Sequence, residues 1–233
     1  MLLAGLTKLS LLDYPGKLSC IVFTQGCVFT CPFCHNPDLL KIKPKDSVES
    51  LPVNDFFKFL ESRKGKLEAV TVTGGEPTVH ADLIEFITQI KQMGFLVKLD
   101  SNGIRPDVLE KAIELNLIDY IAMDIKHTWE KYHLATGKKV NLENLKKSKN
   151  IIQTSGVDYE FRTTVVPGVH QESDFEEIGN IIQGAKNYYL QEFRPYIVLN
   201  LSILDSYEKS ELDLKIIKSV VEPKVEHIDI RYS

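Results

Sequence analysis

Six times along its 233 residues the chain follows a short apolar or β-branched run with a segment of helical periodicity. No other feature restricts the fold as much. Strands separated by helices are joined in parallel by right-handed crossovers, so the alternation commits the chain to a parallel sheet with helices packed on it. The runs are Ser19–Thr24, Ala69–Thr73, Phe95–Leu99, Tyr120–Ile125, Tyr159–Val166 and Tyr189–Phe193, and Val225–Arg231 adds a final edge strand. The first helix is capped by Asn54 or Asp55 and buries Phe56, Phe57, Phe59 and Leu60. The others span Ala81–Met93 with Gly94 as its stop, Pro106–Leu115, Asn141–Thr154 closed by Gly156, Ser173–Gln183 and Glu208–Val221. Six units are too few for a closed eight-stranded barrel. The predicted fold class is therefore α/β, a partial (β/α)6 TIM-like barrel with parallel strands, or a strongly curved open sheet. No linker divides the sequence, and residues 1–233 read as one domain.

A net charge of -4 supplies no field that would draw in nucleic acid or an anionic membrane. The opening MLLAGLTKLSLLDYPG is apolar but interrupted by Asp13, and no small-residue cleavage site follows, so a signal peptide is not expected. No apolar run reaches the length of a membrane span. Of four cysteines, three crowd into GCVFTCPFCHNPD, which is not the even spread of a secreted disulfide scaffold. A reducing, cytoplasmic setting is expected.

The unusual residues fall just after the predicted strands, the edge where parallel α/β folds carry their sites. Cys27, Cys31 and Cys34 follow the first strand, in a loop spanning 25–38 that Gly26 and Pro32 help to turn. Three readings compete. A zinc ion would take these thiols and His35, although adjacent Cys34 and His35 struggle to reach one tetrahedral centre. A redox dithiol would use Cys31 and Cys34 and leave Cys27 unexplained. A cubane iron–sulfur cluster with only three thiolates keeps one iron open, and an open metal site does chemistry. Cys20, inside the first strand, reads as a small buried hydrophobe.

Each remaining motif has a plain structural reading. Gly74-Gly75-Glu76-Pro77 suits any strand-to-helix turn. Asp100-Ser101-Asn102-Gly103 suits an Asx-type turn. Asp124 and Lys126, two apart, share a face and make an ion pair at the rim. Arg162, in FRTTVVPG, has a guanidinium fork suited to a carboxylate. His35 would tune a neighbouring cluster or cap the loop; His80, His127, His133, His170 and His227 read as surface or loop residues. Lys138, Lys139, Lys146, Lys147 and Lys149 read as a solvated face.

Cys27-x3-Cys31-x2-Cys34, with Phe33 before the last cysteine, resembles the signature of the radical S-adenosylmethionine superfamily. His35-Asn36-Pro37-Asp38 resembles the activating enzymes of glycyl radical enzymes. TKLSLLDYPGK resembles their anaerobic ribonucleoside-triphosphate reductase branch. The likeness runs over nearly the whole chain. It implies a 4Fe–4S cluster on Cys27, Cys31 and Cys34, and S-adenosyl-L-methionine on the open iron. Reduction would then release a 5′-deoxyadenosyl radical that installs a glycyl radical on a partner enzyme.

The same likeness implies cofactor contacts from Gly74, Gly75, Glu76, Asp100, Ser101, Asn102, Asp124, Lys126 and Arg162. A flavodoxin or ferredoxin would donate the electron. The equivalents of Asp100 and Asp124 help hold a monovalent cation in some relatives. Some activases also carry Tyr-His after the sixth strand; here Ile197 follows Tyr196, so the adenosine is expected to rest on backbone and on packing around Val198. Two alternatives remain: a radical enzyme acting on a small molecule such as a deazapurine precursor, and a zinc-stabilised interaction module.

Overall fold

The computed structural model describes residues 1–41, 50–207 and 212–232. In chain order its elements are β1 (Leu3–Ser10), β2 (Ser19–Thr24), α1 (Val53–Glu61), β3 (Ala69–Gly74), α2 (Leu83–Gln92), β4 (Leu96–Ser101), α3 (Pro106–Glu114) and β5 (Tyr120–Asp124). They continue as α4 (Tyr132–Thr136), α5 (Leu142–Thr154), β6 (Asp158–Val165), α6 (Asp174–Ile181), β7 (Tyr188–Glu192), α7 (Ser202–Tyr207), α8 (Leu214–Val221) and β8 (Ile228–Arg231). The strands form one eight-stranded sheet in sequential order from β1 to β8. Every pairing from β2 to β8 is parallel. The two ends of the sheet, β1 and β8, are not paired with each other, so the barrel is partial.

Each of the six predicted strands is present within a residue or two, and the final edge strand is β8. β1 was not predicted. It pairs antiparallel with β2 through a register that slips between Leu3 and Gly5 and again between Thr7 and Ser10. Its burial does not alternate cleanly, so the period-two signal that marks a half-buried strand is weak. The short helices α4 and α7 also escaped the sequence reading. Residues 208–211 of the expected last helix lie outside the described residues. The first helix begins earlier than expected, with Pro52 at its cap, while Asp55 pairs with Lys58 instead. Asn141 caps α5 as predicted, accepting from the amides of Glu143 and Asn144.

Alternation along the strands sorts their side chains to two faces. Val70, Val72, Val97, Leu99, Ile121, Met123, Phe161 and Leu190 pack outward with Phe56, Leu60, Ile87, Ile90, Leu109, Ile152, Phe175, Ile178 and Ile217 in one cluster. Each such side chain contributes roughly 1.5–3 kcal/mol when fully buried. Cys20 belongs to that cluster, as expected of a small hydrophobe. The inner face is polar. Tyr14 and Tyr120, with ring centroids 5.8 Å apart, sit with Ala69 at the N-terminal ends of the strands. Above them runs a chain of ion pairs: Lys98 to Asp100 at 2.7 Å, Arg162 to Asp100 at 3.3 Å, and Arg162 to Asp124 at 3.1 Å. Glu160, wholly buried, takes two 2.7 Å bonds from Arg231 of β8 and one of 3.0 Å from the Tyr120 hydroxyl. Charges buried this way persist only when paired and hydrogen-bonded.

Candidate active site

Three thiols and nine other predicted residues meet at the C-terminal ends of the strands. One cavity, with about 820 Å³ of space including its open mouth, is lined by Cys27, Cys31, Cys34, Gly74, Gly75, Glu76, Asp100, Ser101, Asn102, Asp124, Lys126 and Arg162. Parallel register brings about this convergence: Thr24 faces Gly74 across β2–β3, and Asp124 faces Arg162 across β5–β6.

The cysteine loop is held from three sides. Its start closes on its end through the Gly26 amide to the Leu39 carbonyl, 2.6 Å. The Thr30 amide bonds Thr136 O at the end of α4, and the Asn200 amide bonds Pro32 O, each at 3.0 Å. Phe29 and Phe33 are buried in a second apolar cluster with Tyr132, Leu145, Val166 and Phe193. Apolar anchors between the cysteines therefore fix the loop while the thiols face the cavity.

All four cysteines are free. Burial pushes the Cys27 thiol up to about 12 and raises Cys31 and Cys34 as well. Thiolates at such positions need a positive charge beside them, and bound iron is one. Among the described residues no three His, Cys, Asp or Glu side chains gather as ligands of a single ion. Three soft donors lining one cavity suit an iron–sulfur cluster, whose irons each take their own thiolate. The Cys27 sulfur also accepts from the Phe29 amide at 3.4 Å and from Asn102 Nδ2 at 3.7 Å.

Packing requires glycine at both Gly74 and Gly75. A Cβ on Gly74 would lie 2.3 Å from Thr24 N, and one on Gly75 would lie 2.2 Å from Gly26 O. Gly74 also has φ of +122°, which side chains disfavour. The turn thus abuts the backbone that leads into Cys27. Glu76 follows, and its carboxylate is buried. It accepts from Thr78 N (3.1 Å), Thr78 Oγ1 (2.5 Å), Ser101 Oγ (2.9 Å) and Asn102 N (2.6 Å). Burial raises its pKa while these donors pull it back. Glu76 ties the end of β3 to the end of β4.

Arg162 bridges Asp124 through Nε at 3.1 Å and Asp100 through Nη1 at 3.3 Å. Desolvation opposes ionisation of Asp100, but Arg162 and Lys98 outweigh it and hold the carboxyl down to about 2. Asp124 is lowered in the same way by Lys126 and Arg162. Lys126 bonds Asp124 at 3.0 Å, and its ammonium lies 6.0 Å from the Phe33 ring centroid. Despite burial, Asp124 raises the pKa of Lys126, which stays charged at the cavity wall.

Some expectations need revision. His127 and His170 lie in loops but are buried, 0% and 2% exposed, rather than at the surface. His35 stacks on Phe193 at 5.7 Å, and its Nε2 lies 3.1 Å from Arg194 O, so it joins the cysteine loop to the segment after β7. Tyr196 and Ile197 are exposed and do not line the thiol cavity, whereas Val198 packs into the second cluster. Within the lysine run, Lys146 pairs with Glu143 and Lys147 with Glu110 on an open face. Thr73 and Thr164 line the cavity without having been singled out in the sequence. Their position two residues or fewer from a strand's C-terminal end was the available signal.

Fold and thiol set together define an iron–sulfur enzyme of the parallel α/β-barrel kind. Comparison with known proteins sharpens this. The family model described as the Radical SAM superfamily matches residues 21–182. The chain is 36% identical over 200 residues to the "Putative glycyl-radical enzyme activating enzyme" of Methanocaldococcus jannaschii, covering 83% of this chain and 80% of that protein. It is 29% identical over 219 residues to the pyruvate formate-lyase-activating enzyme of Clostridium pasteurianum, covering 91% and 87%. A domain of pyruvate-formate lyase-activating enzyme from Bacteroides vulgatus superposes with a TM-score of 0.52 at 18% identity, over 70% of this chain and 99% of that one. Streptococcus suis SuiB bound to S-adenosylmethionine gives 0.63 at 13% identity, over 91% of this chain and 49% of SuiB, so the chain spans about half of SuiB. The structural likenesses speak for the fold.

The chain belongs to the Radical SAM superfamily, among the activating enzymes of glycyl radical enzymes. The family's cofactors are a 4Fe–4S cluster and S-adenosyl-L-methionine. No helix among the described residues is long and apolar enough to cross a membrane.

Proposed function

We propose that this chain, acting as one domain over residues 1–233, removes a Cα hydrogen from a glycine of a partner enzyme. The observation that carries the reading is the single cavity shared by the three thiols and the Asp100–Arg162–Asp124–Lys126 network. Cys27, Cys31 and Cys34 would hold the cluster. The carbonyls at Gly74 and Gly75 offer acceptors for the methionine ammonium, and Lys126 and Arg162 offer cations for its carboxylate. Asp100 and Asp124 keep both cations charged and in place, and Ser101 and Asn102 are fixed beside them by Glu76. The thiols and the fork of Arg162 lie in a partly closed, polar site that orients the cofactor and limits water. When bound, cluster and cofactor together supply one-electron cleavage of a sulfonium and the group that takes the hydrogen. The balance is one electron and one S-adenosylmethionine in, and methionine, 5′-deoxyadenosine and a glycyl radical out.

The electron would come from a flavodoxin or ferredoxin. Anaerobic ribonucleoside-triphosphate reductase is the partner favoured by the resemblance of TKLSLLDYPGK. Pyruvate formate-lyase is a second reading, favoured by the name of the Clostridium relative. The test mixes anaerobically reconstituted protein with each candidate, reductant and S-adenosylmethionine, and measures 5′-deoxyadenosine and the electron paramagnetic resonance doublet of a glycyl radical. A doublet in the reductase and none with Cys31→Ala supports the proposal. Release of 5′-deoxyadenosine by Cys31→Ala would sink it.

A further inference from the structure

Two histidines outside the cavity form a buried pair with a defined protonation pattern. The His127 and His170 rings stack with centroids 4.7 Å apart and an interplanar angle of 23°. His170 Nδ1 accepts the Val166 amide at 3.0 Å and is therefore the bare nitrogen, so Nε2 carries the hydrogen and donates to the Lys126 carbonyl at 2.9 Å. His127 follows the same logic. Its Nδ1 accepts the Thr128 amide at 2.8 Å, leaving Nε2–H to donate to Val169 O at 3.1 Å. Both rings are neutral in this arrangement. Together they lock the turn after β6 onto the residue that leaves β5.

That residue is the lysine of the cavity. Its backbone is held at both ends by side chains: Tyr132 accepts the Lys126 amide through its hydroxyl oxygen at 3.2 Å, and His170 donates to the carbonyl. The preceding Ile125 carbonyl takes the Thr163 hydroxyl at 2.5 Å. Where a strand ends, the sheet no longer fixes the backbone, and at Lys126 side chains take over that task. A shift of this carbonyl would move the ammonium that lies against Asp124 and Phe33.

Resting on the functional reading above, we propose that His170, seated on His127, is a positioning residue for Lys126, setting its ammonium for the carboxylate of S-adenosylmethionine. His170 is not among the residues that line the thiol cavity, and it works through the lysine backbone. Removing a group that orients a metal ligand costs about 10–100-fold, and a loss at the low end of that range is expected here.

The test measures the equilibrium Kd for S-adenosylmethionine of the cluster-loaded protein, with melting curves as the folding control. His170→Asn keeps an acceptor near the Nδ1 position but loses the donor to Lys126. His170→Gln keeps the donor. The expected results are a roughly tenfold weaker Kd for H170N and one within about threefold of wild type for H170Q. Combined with Lys126→Met, H170N should add nothing further, since residues acting through one another are not additive. Unchanged binding by H170N, or full additivity with K126M, overturns the proposal. If H170N does not fold, His170→Leu, which also lacks the donor to Lys126, replaces it in both comparisons; unchanged binding by a folded H170L overturns the proposal, as does a tenfold loss in a folded H170Q. Wild-type protein that binds no S-adenosylmethionine would instead remove the functional reading, and this inference with it.

Discussion

Replacing Gly75 by Ala should unseat the cysteine loop. The new Cβ would stand 2.2 Å from Gly26 O and 2.7 Å from Gly26 C, against the 3.4 Å at which ordinary contact begins. The neighbour is backbone and cannot rotate aside. Relief requires a shift of about an ångström between the end of β3 and the residue before Cys27. Overpacking of this kind costs roughly 1–3 kcal/mol. The same shift strains two bonds across the contact, Gly75 N to Thr24 O at 2.9 Å and Glu76 N to Gly26 O at 2.8 Å. At about 1 kcal/mol each, their loss brings the total to roughly 3–5 kcal/mol. For a chain of this length, each kcal/mol lowers the melting point by about 2–4 °C, so the drop should be roughly 6–20 °C.

Iron retained after anaerobic reconstitution should fall in parallel, because Gly26 adjoins a cluster ligand. Gly5→Ala is the matched control. Nothing lies within 4 Å of its added Cβ, and its effect should stay within about 1 kcal/mol of wild type. A G75A protein that melts within about 2 °C of wild type and keeps its iron would refute the packing account.

Two further outcomes follow from the buried charges and rings. Arg231→Met should leave the Glu160 carboxylate buried with, among the described residues, only Tyr120 in bonding range and Arg162 at 3.8 Å. Breaking a buried pair from one side costs about 3–5 kcal/mol, toward the low end here because Arg231 is partly exposed; urea unfolding that changes by less than about 1 kcal/mol would contradict this. Stability should also fall in acid. Burial and the neighbouring His127 press the pKa of His170 down to about 4 from an ordinary 6.5, so the unfolded chain binds the proton first. The contribution is complete above 6.5 and fades as pH falls to about 4, about 3 kcal/mol in all. His127 shifts the same way, and the charges acting on it are Asp174, Lys131 paired with it, and Glu177. His170→Gln should flatten the slope of urea stability between pH 7 and 4.5, and an unaltered slope would count against a neutral buried pair.

The strands and most helices could be read locally because their apolar runs report burial on one side of a sheet. Ser19–Thr24 and Tyr120–Asp124 need no partner to declare themselves. β1 could not be read so, since its pairing with β2 slips twice and its side chains are mostly half-buried or exposed. The candidate site was legible as a set of motifs, because its residue types are scarce and recur after strands. The burial of His127 and His170 is not legible, because nothing nearby in sequence shows what will cover them. Tyr132, at the head of a five-residue helix, was equally silent.

By itself, then, the sequence determined the fold class, the three-thiol loop and the residue types gathered at the sheet edge. These are matters of periodicity and spacing, which act between near neighbours. Tertiary structure decided what each residue does there. Glu76 became a clamp between strand ends because four donors from two elements enclose it. Gly75 became indispensable because Gly26 lies against it. Arg162 came to hold two aspartates from two other strands. Such roles depend on distances between segments far apart in the chain, and only parallel register and packing set those distances.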